Sequence, residues 1–172
     1  MTRVPSPSEY APWFDRYISL VPAGNLLETL EEQCEKTRFL LANLDENEGD
    51  NRYAPGKWTV KEVLGHIIDT ERIMSYRALR ISRNDPTPLP GFDQGLYIEN
   101  GPYAACELIS LLEEFHAVRR SSILLFNHLQ PEAWDRSGTV DGKPVSVRAL
   151  GYIIAGHEIH HRRILKQKYL GL

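Results

Sequence analysis

Apolar residues recur at helical spacing in four stretches of this chain, separated by segments that hold most of its prolines and glycines. Leu27, Leu30, Cys34, Thr37, Leu41 and Leu44 predict a first helix from about Asn25 to Leu44, with Asn25 as its cap and Pro22 and Gly24 just outside. Ahead of it, Tyr10, Trp13, Phe14, Tyr17 and Ile18 predict a short helical arm that packs across the other helices. A second helix starts at Thr59-Val-Lys-Glu62, a capping box in which each end satisfies a backbone donor of the other. Trp58 takes the staple position, Val60, Val63, Ile67, Met74 and Ile81 form the stripe, and Pro86, Pro88 and Pro90 rule out continuation. A third helix is predicted from about Pro102 to Leu129, its wide apolar face running from Leu108 to Phe126, with Pro131 closing it. The fourth is predicted from a Ser146 cap to about Tyr169. Between the last two, Gly138 to Val145 reads as a small hairpin, because Asp141-Gly142 supplies the positive dihedral angles of a tight primed turn.

The link from Asn84 to Gly101 is long for a compact domain. A helix of about 24 residues is roughly 36 Å long, and extended chain covers about 3.3 Å per residue, so this link can run the length of a bundle. The expectation is an all-α four-helix bundle of up-down-down-up topology, with the long crossover between the second and third helices, in a single domain over residues 1–172. Hydrophobic residues at 42% and charged ones at 25% suit such a core, while a net charge of -3 argues against nucleic acid as a partner. Cys34 and Cys106 are too few for a disulfide framework and read as small buried hydrophobes. The N-terminal stretch has no apolar run like that of a signal peptide, and no segment approaches the roughly 18 apolar residues of a membrane span. A cytoplasmic protein without membrane attachment is the expectation.

The candidate chemistry lies in the helical stripes. In the fourth helix Val147, Leu150, Ile154 and Ile164 leave two gaps, and His157 and His161 fill them, so both imidazoles face inward one turn apart. His66 on the second helix stacks one turn from Val63 and Thr70 and can turn in from the seam. Three imidazoles packed together desolvate several polar nitrogens, a cost that a divalent metal offsets. Three protein ligands also leave a position open for water or substrate, whereas a closed structural site takes four. His66, His157 and His161 are therefore the candidate ligands, and zinc, nickel, copper and iron all suit three imidazoles, with zinc or nickel foremost.

Other residues are weaker candidates. His160 falls on a flank with Ile153, Gly156 and Arg163; His128 suits a helix C-terminus, and His116 a boundary position. His157-Glu-Ile-His-His161 satisfies the short pattern of zinc peptidases, in which the glutamate acts as base, but the surrounding chain lacks the sheet such enzymes use. Asp69 and Glu158 are placed either to orient an imidazole or to form surface ion pairs. Arg72, Arg77, Arg80, Arg83, Arg148, Arg162 and Arg163 form either a landing site for an anionic substrate or a solvated face.

The segment Tyr53-Ala-Pro-Gly-Lys-Trp-Thr-Val-Lys-Glu-Val-Leu-Gly-His66-Ile-Ile-Asp-Thr-Glu71, together with Gly156-His157-Glu-Ile-His-His161, closely resembles the DinB/YfiT-like family of metalloenzymes. The likeness runs from the first helix through Tyr169. It implies a four-helix bundle with a long crossover and a divalent metal on His66, His157 and His161. It also implies homodimers, and for some members thiol-dependent transfer with bacillithiol, mycothiol or glutathione; others carry the label of metal-dependent hydrolase. The expected function is activation of a thiol or water for attack on an electrophilic small molecule, with transfer to a low-molecular-weight thiol first and hydrolysis second, and with no base assigned. The alternative from another class is a noncatalytic module in which the cation staples three helix positions.

Overall fold

The computed structural model describes residues 3–172. Its four long helices are α1 (Leu26–Leu41), α2 (Val60–Ser82), α3 (Leu108–Asn127) and α4 (Val147–Ile164). Three begin as the sequence predicts. Asn25 accepts from the Leu27 amide, Thr59 and Glu62 form the reciprocal capping box, and Ser146 accepts from the Ala149 amide. α3 is the exception. Tyr103–Ala105 make a 3-10 turn and Cys106 is extended, so the helix starts at Leu108 rather than near Pro102. Its cap comes from far away, the Leu108 amide donating to the Glu46 carboxylate at 2.9 Å. α1 stops at Leu41 rather than Leu44, and beyond Ile164 the chain widens into a π turn over Leu165–Tyr169.

The direction of each helix follows from which residues share a core. One cluster gathers Leu26 and Leu30 of α1, Met74, Ala78 and Ile81 of α2, Ile123 and Phe126 of α3, and Val147, Leu150 and Ile154 of α4. The other gathers Cys34 and Leu41, then Val60, Val63, Leu64, Ile67 and Ile68, then Leu108, Leu111, Leu112 and Phe115, and Leu165 just past α4. The early turns of α1 and α4 thus meet the late turns of α2 and α3. The order is up-down-down-up, and α2 and α3 run parallel, as the length of the crossover implies.

A layer of buried charge separates the two clusters. Arg119 of α3 is 1% exposed and lies between Glu71 of α2 and Glu158 of α4, with closest contacts of 2.8 and 2.6 Å. It also donates to the Leu30 carbonyl of α1 at 2.9 Å. Glu158 accepts in addition from Thr37 at 2.6 Å and from Arg162 at 3.0 Å. The two guanidiniums balance the two carboxylates, which is the condition for burying any of them.

Three irregular pieces cover one side of the bundle. Strands β1 (Ser137–Val140) and β2 (Lys143–Ser146) form the expected hairpin, with φ of 47° at Asp141 and 70° at Gly142. The crossover bridges to it where the Leu89 amide donates to the Thr139 carbonyl at 2.9 Å, and then forms a short helix, Gln94–Glu99, that periodicity did not reveal. The third piece is the N-terminal arm, in which the turn Pro12–Phe14 leads into the turn Asp15–Ile18 that lies against α4. Gly156 permits that approach, because a Cβ there would overlap the Tyr17 carbonyl. Among the described residues no helix is long and apolar enough to cross a membrane.

Two substitutions test this account. Gly156→Ala sets a methyl against backbone that cannot swing aside, so it should lower stability by about 1–3 kcal/mol and expose the arm to protease. An unchanged urea midpoint and cleavage pattern would refute the contact. Arg119→Leu leaves Glu71 without an ion-pair partner and Glu158 with Arg162 alone, and should cost about 3–5 kcal/mol. Adding Glu71→Gln and Glu158→Gln should recover part of that loss, and urea unfolding of the single and triple variants measures it.

Candidate metal centre

His157 and His161 project from successive turns of α4 toward His66 on α2, and all three are buried. Their ring centroids are 4.5 to 4.8 Å apart, and one nitrogen from each ring can be chosen so that all three lie within 4.8 Å of one another. The Nε2 atoms of His66 and His157 face each other at 2.9 Å. Aromatic rings wedge the trio in place. Tyr17 of the arm stands edge-on to His157 at 5.2 Å, and Trp58, just before α2, lies 4.9 Å from His66. The π turn contributes too, since it lets the Tyr169 hydroxyl donate to the Trp58 carbonyl at 2.6 Å.

The electrostatics keep these rings neutral. Burial, together with repulsion between neighbouring imidazoliums, lowers His66 to about 4 and His161 to about 2, and holds His157 well below the ordinary histidine value. A neutral imidazole is the form that binds metal. Two further observations fit a cation. The Nδ1 atom of His161 is buried with no hydrogen-bond partner, and two facing Nε2 atoms can share at most one proton between them. A divalent ion held by these three imidazoles would satisfy the donor set that the protein leaves open.

A cavity of about 740 Å³ opens onto His66 and His157. Its floor is α2 and α4; its roof is the arm from Ala11 to Tyr17, the crossover from Gly91 to Gln94, and the hairpin from Val140 to Val145. His66 and His157 therefore face a space that a small molecule can enter.

The remaining candidates are dispersed. His160 is half-buried, packing on Tyr17 and on His161 from outside the trio. Asp69 accepts from the Tyr103 hydroxyl and makes no hydrogen bond to His66. Glu158 points the other way, into the Arg119 layer, so it is neither a surface ion pair nor a partner of an imidazole. That removes the base from the peptidase pattern. Among the arginines, Arg72 pairs with Glu114, Arg80 with Asp85, Arg148 with Glu9 and Asp135, and Arg162 with Glu158. Arg77 alone of the seven lines the cavity. Cys34 is buried as expected, whereas Cys106 is only half-buried. Cys34, Glu35 and His116 also bring donor atoms within 4.8 Å, but burial pushes the Cys34 thiol up to about 11 and Glu35 already pairs with Arg38.

Glu71, Arg119 and Thr37 form a network whose signal is also present in the sequence. Glu71 falls between Ile67 and Met74, Arg119 between Phe115 and Ile123, and Thr37 between Cys34 and Leu41, each filling a gap in an apolar stripe as His157 does.

The family model of the DinB superfamily matches residues 29–165, and the chain belongs to that superfamily. Among individual proteins it is 24% identical over 143 residues to OB0413 of Oceanobacillus iheyensis, named "Putative metal-dependent hydrolase", with 81% of each chain covered. The fold is shared with YfiT of Bacillus subtilis, described as "a probable metal-dependent hydrolase with an unusual four-helix bundle topology". There the TM-score is 0.70 at 18% identity, covering 83% of this chain and 85% of YfiT. The DinB-like protein YjoA of Bacillus subtilis gives 0.63 at 16% identity, covering 86% and 91%.

A pH dependence follows from the depressed histidines. Below about pH 6.5 the unfolded chain binds protons that the folded one refuses, so the metal-free protein should lose stability as pH falls from about 6.5 toward 4. Urea midpoints over that range check this; the slope should be shallower in His66→Leu, and equal slopes would contradict the assignment.

Proposed function

We propose that His66, His157 and His161 hold a divalent metal ion and that the protein is an enzyme activating a small nucleophile for attack on an electrophile bound in the cavity. The observation that carries this reading is the opening of the cavity directly onto His66 and His157. When bound there, a divalent cation supplies Lewis acidity, lowering the pKa of a thiol or water at its remaining positions. The chain's own part is to present three neutral nitrogens, to fix them with Tyr17 and Trp58, and to exclude bulk water with the arm, crossover and hairpin.

A low-molecular-weight thiol is the nucleophile we favour. Hydrolysis profits from a base beside the attacking water, and the glutamate next to His157 is locked into ion pairs with Arg119 and Arg162. A thiol starts with a pKa near 8.5 and so needs far less help to ionise. In the transfer, a carbon–sulfur bond forms, the bond from carbon to the leaving group breaks, and the thiol proton passes to solvent. Such thiols belong to the cytoplasm, where Cys34 and Cys106 also stay reduced. The names of OB0413 and YfiT support hydrolysis as the second reading.

Metal analysis and turnover test both halves. Purified protein should carry about one divalent ion per chain and His157→Ala far less; equal and negligible metal in the two would overturn the ligand set. The loaded protein, given an activated aryl halide with glutathione, bacillithiol or mycothiol, should release halide faster than the metal-free protein or His157→Ala. Ester cleavage without thiol would favour the hydrolase, and no metal-dependent turnover with any pairing would leave the metal a structural role.

A further inference from the structure

Along the cavity floor α2 presents His66, Thr70, Met74 and Arg77, a single stripe at spacings of four, four and three. Two of these side chains are polar, buried and underused. Arg77 is 5% exposed, yet no carboxylate among the described residues lies within ion-pair distance of its guanidinium. Of its five N–H donors, one reaches the Pro90 carbonyl at 2.7 Å and another only the Met74 sulfur at 3.4 Å. The Phe92 ring lies 5.6 Å from it. The hydroxyl of Thr70, one turn from His66, is buried with no hydrogen-bond partner.

A buried cation without a counterion is costly. Burial pulls Arg77 below the ordinary arginine value, with Asp141 and Tyr97 opposing at longer range. Every other arginine that the structure buries in the bundle, Arg119 and Arg148, has its carboxylates in contact. The missing counterion at Arg77 sits where a ligand would supply it.

We propose that Arg77 is the carboxylate anchor of this cavity, so that the substrate or thiol it takes is a small monoanionic organic acid lying along α2 with its reactive end at the histidines and Thr70 bonding its middle. The proposal rests on the metal-centre reading for the reactive end alone. Charge selects the class. Arg16, Arg77 and Lys143 line the cavity against Asp93 and Asp141, an excess of one positive charge, which suits a carboxylate better than a phosphate dianion. Length selects within it: His66 and Arg77 are eleven residues apart, about 16 Å along the helix axis, so the two ends of the ligand are separated by a chain or ring rather than sharing one carbon. The body of the ligand lies against Trp13, Phe14, Tyr17 and Phe92.

Matched probes test this. Cobalt-loaded protein is titrated with ω-mercaptoalkanoates of increasing chain length and with the corresponding ω-mercaptoalcohols, following the sulfur-to-cobalt absorption. The carboxylate series should bind about 10- to 100-fold more tightly at an optimal length. That advantage should vanish in Arg77→Met and survive in part in Arg77→Lys. Loss of the Pro90 contact alone would weaken both series equally, so an unchanged carboxylate-to-alcohol ratio in Arg77→Met overturns the proposal, as does the absence of any advantage in the wild type. A second arm uses metal-free protein with octanoate and octanamide in a calorimeter. Octanoate should bind the wild type and not Arg77→Met. If no thiol binds the cobalt protein, the metal-centre reading fails while the octanoate arm still decides the role of Arg77.

Discussion

The bundle turns on the guanidinium of Arg119. It contacts the other three long helices, through Leu30 of α1, Glu71 of α2 and Glu158 of α4, at a level where the apolar core is interrupted. Apolar contacts tolerate small rotations and slides, but a buried charge triad with contacts of 2.6 to 2.9 Å does not, because a lost contact leaves charge without solvent. Glu158 follows His157 directly, about 100° further round the helix. Holding Glu158 on Arg119 therefore fixes the rotation of α4, and with it the aim of His157 and His161 at α2. The charge layer and the imidazoles are two faces of one constraint.

Much of this was legible in the sequence, and the reason is periodicity. The four helices announce themselves because their buried faces repeat every three or four residues, and their starts because Asn25, Thr59 and Ser146 are polar caps in front of apolar stripes. The histidines were legible as polar residues occupying inward positions. The Arg119 layer obeys the same rule, but charged side chains at such positions read first as solvated, and only the meeting of three helices shows that they neutralise one another. α3 starts at Leu108, where its apolar face begins, and not near Pro102, because Tyr103–Ala105 form a 3-10 turn and Cys106 is extended. Its true start depends on Glu46, a residue far off in the chain.

The roof of the cavity was the least legible part. The span of the long crossover follows from reach alone, but the short helix within it and the pairing of Leu89 with the hairpin do not. Local sequence has little to say about such pieces, since each is held by the others and by the bundle. The approach of the arm to α4 depends on the missing side chain of Gly156, and a glycine inside a helical pattern signals close approach without naming the partner.

That division of labour between floor and roof has an evolutionary side. The donors and the charge layer belong to the helices, where a substitution disturbs packing throughout the bundle. The surfaces above them belong to three separate stretches of chain, two of which meet by a pair of backbone hydrogen bonds. Backbone pairing is indifferent to side-chain identity, so these stretches can drift in composition and length while the helices stand still. A lineage built on this plan can acquire new clients by rewriting its canopy and keep the same reactive centre beneath.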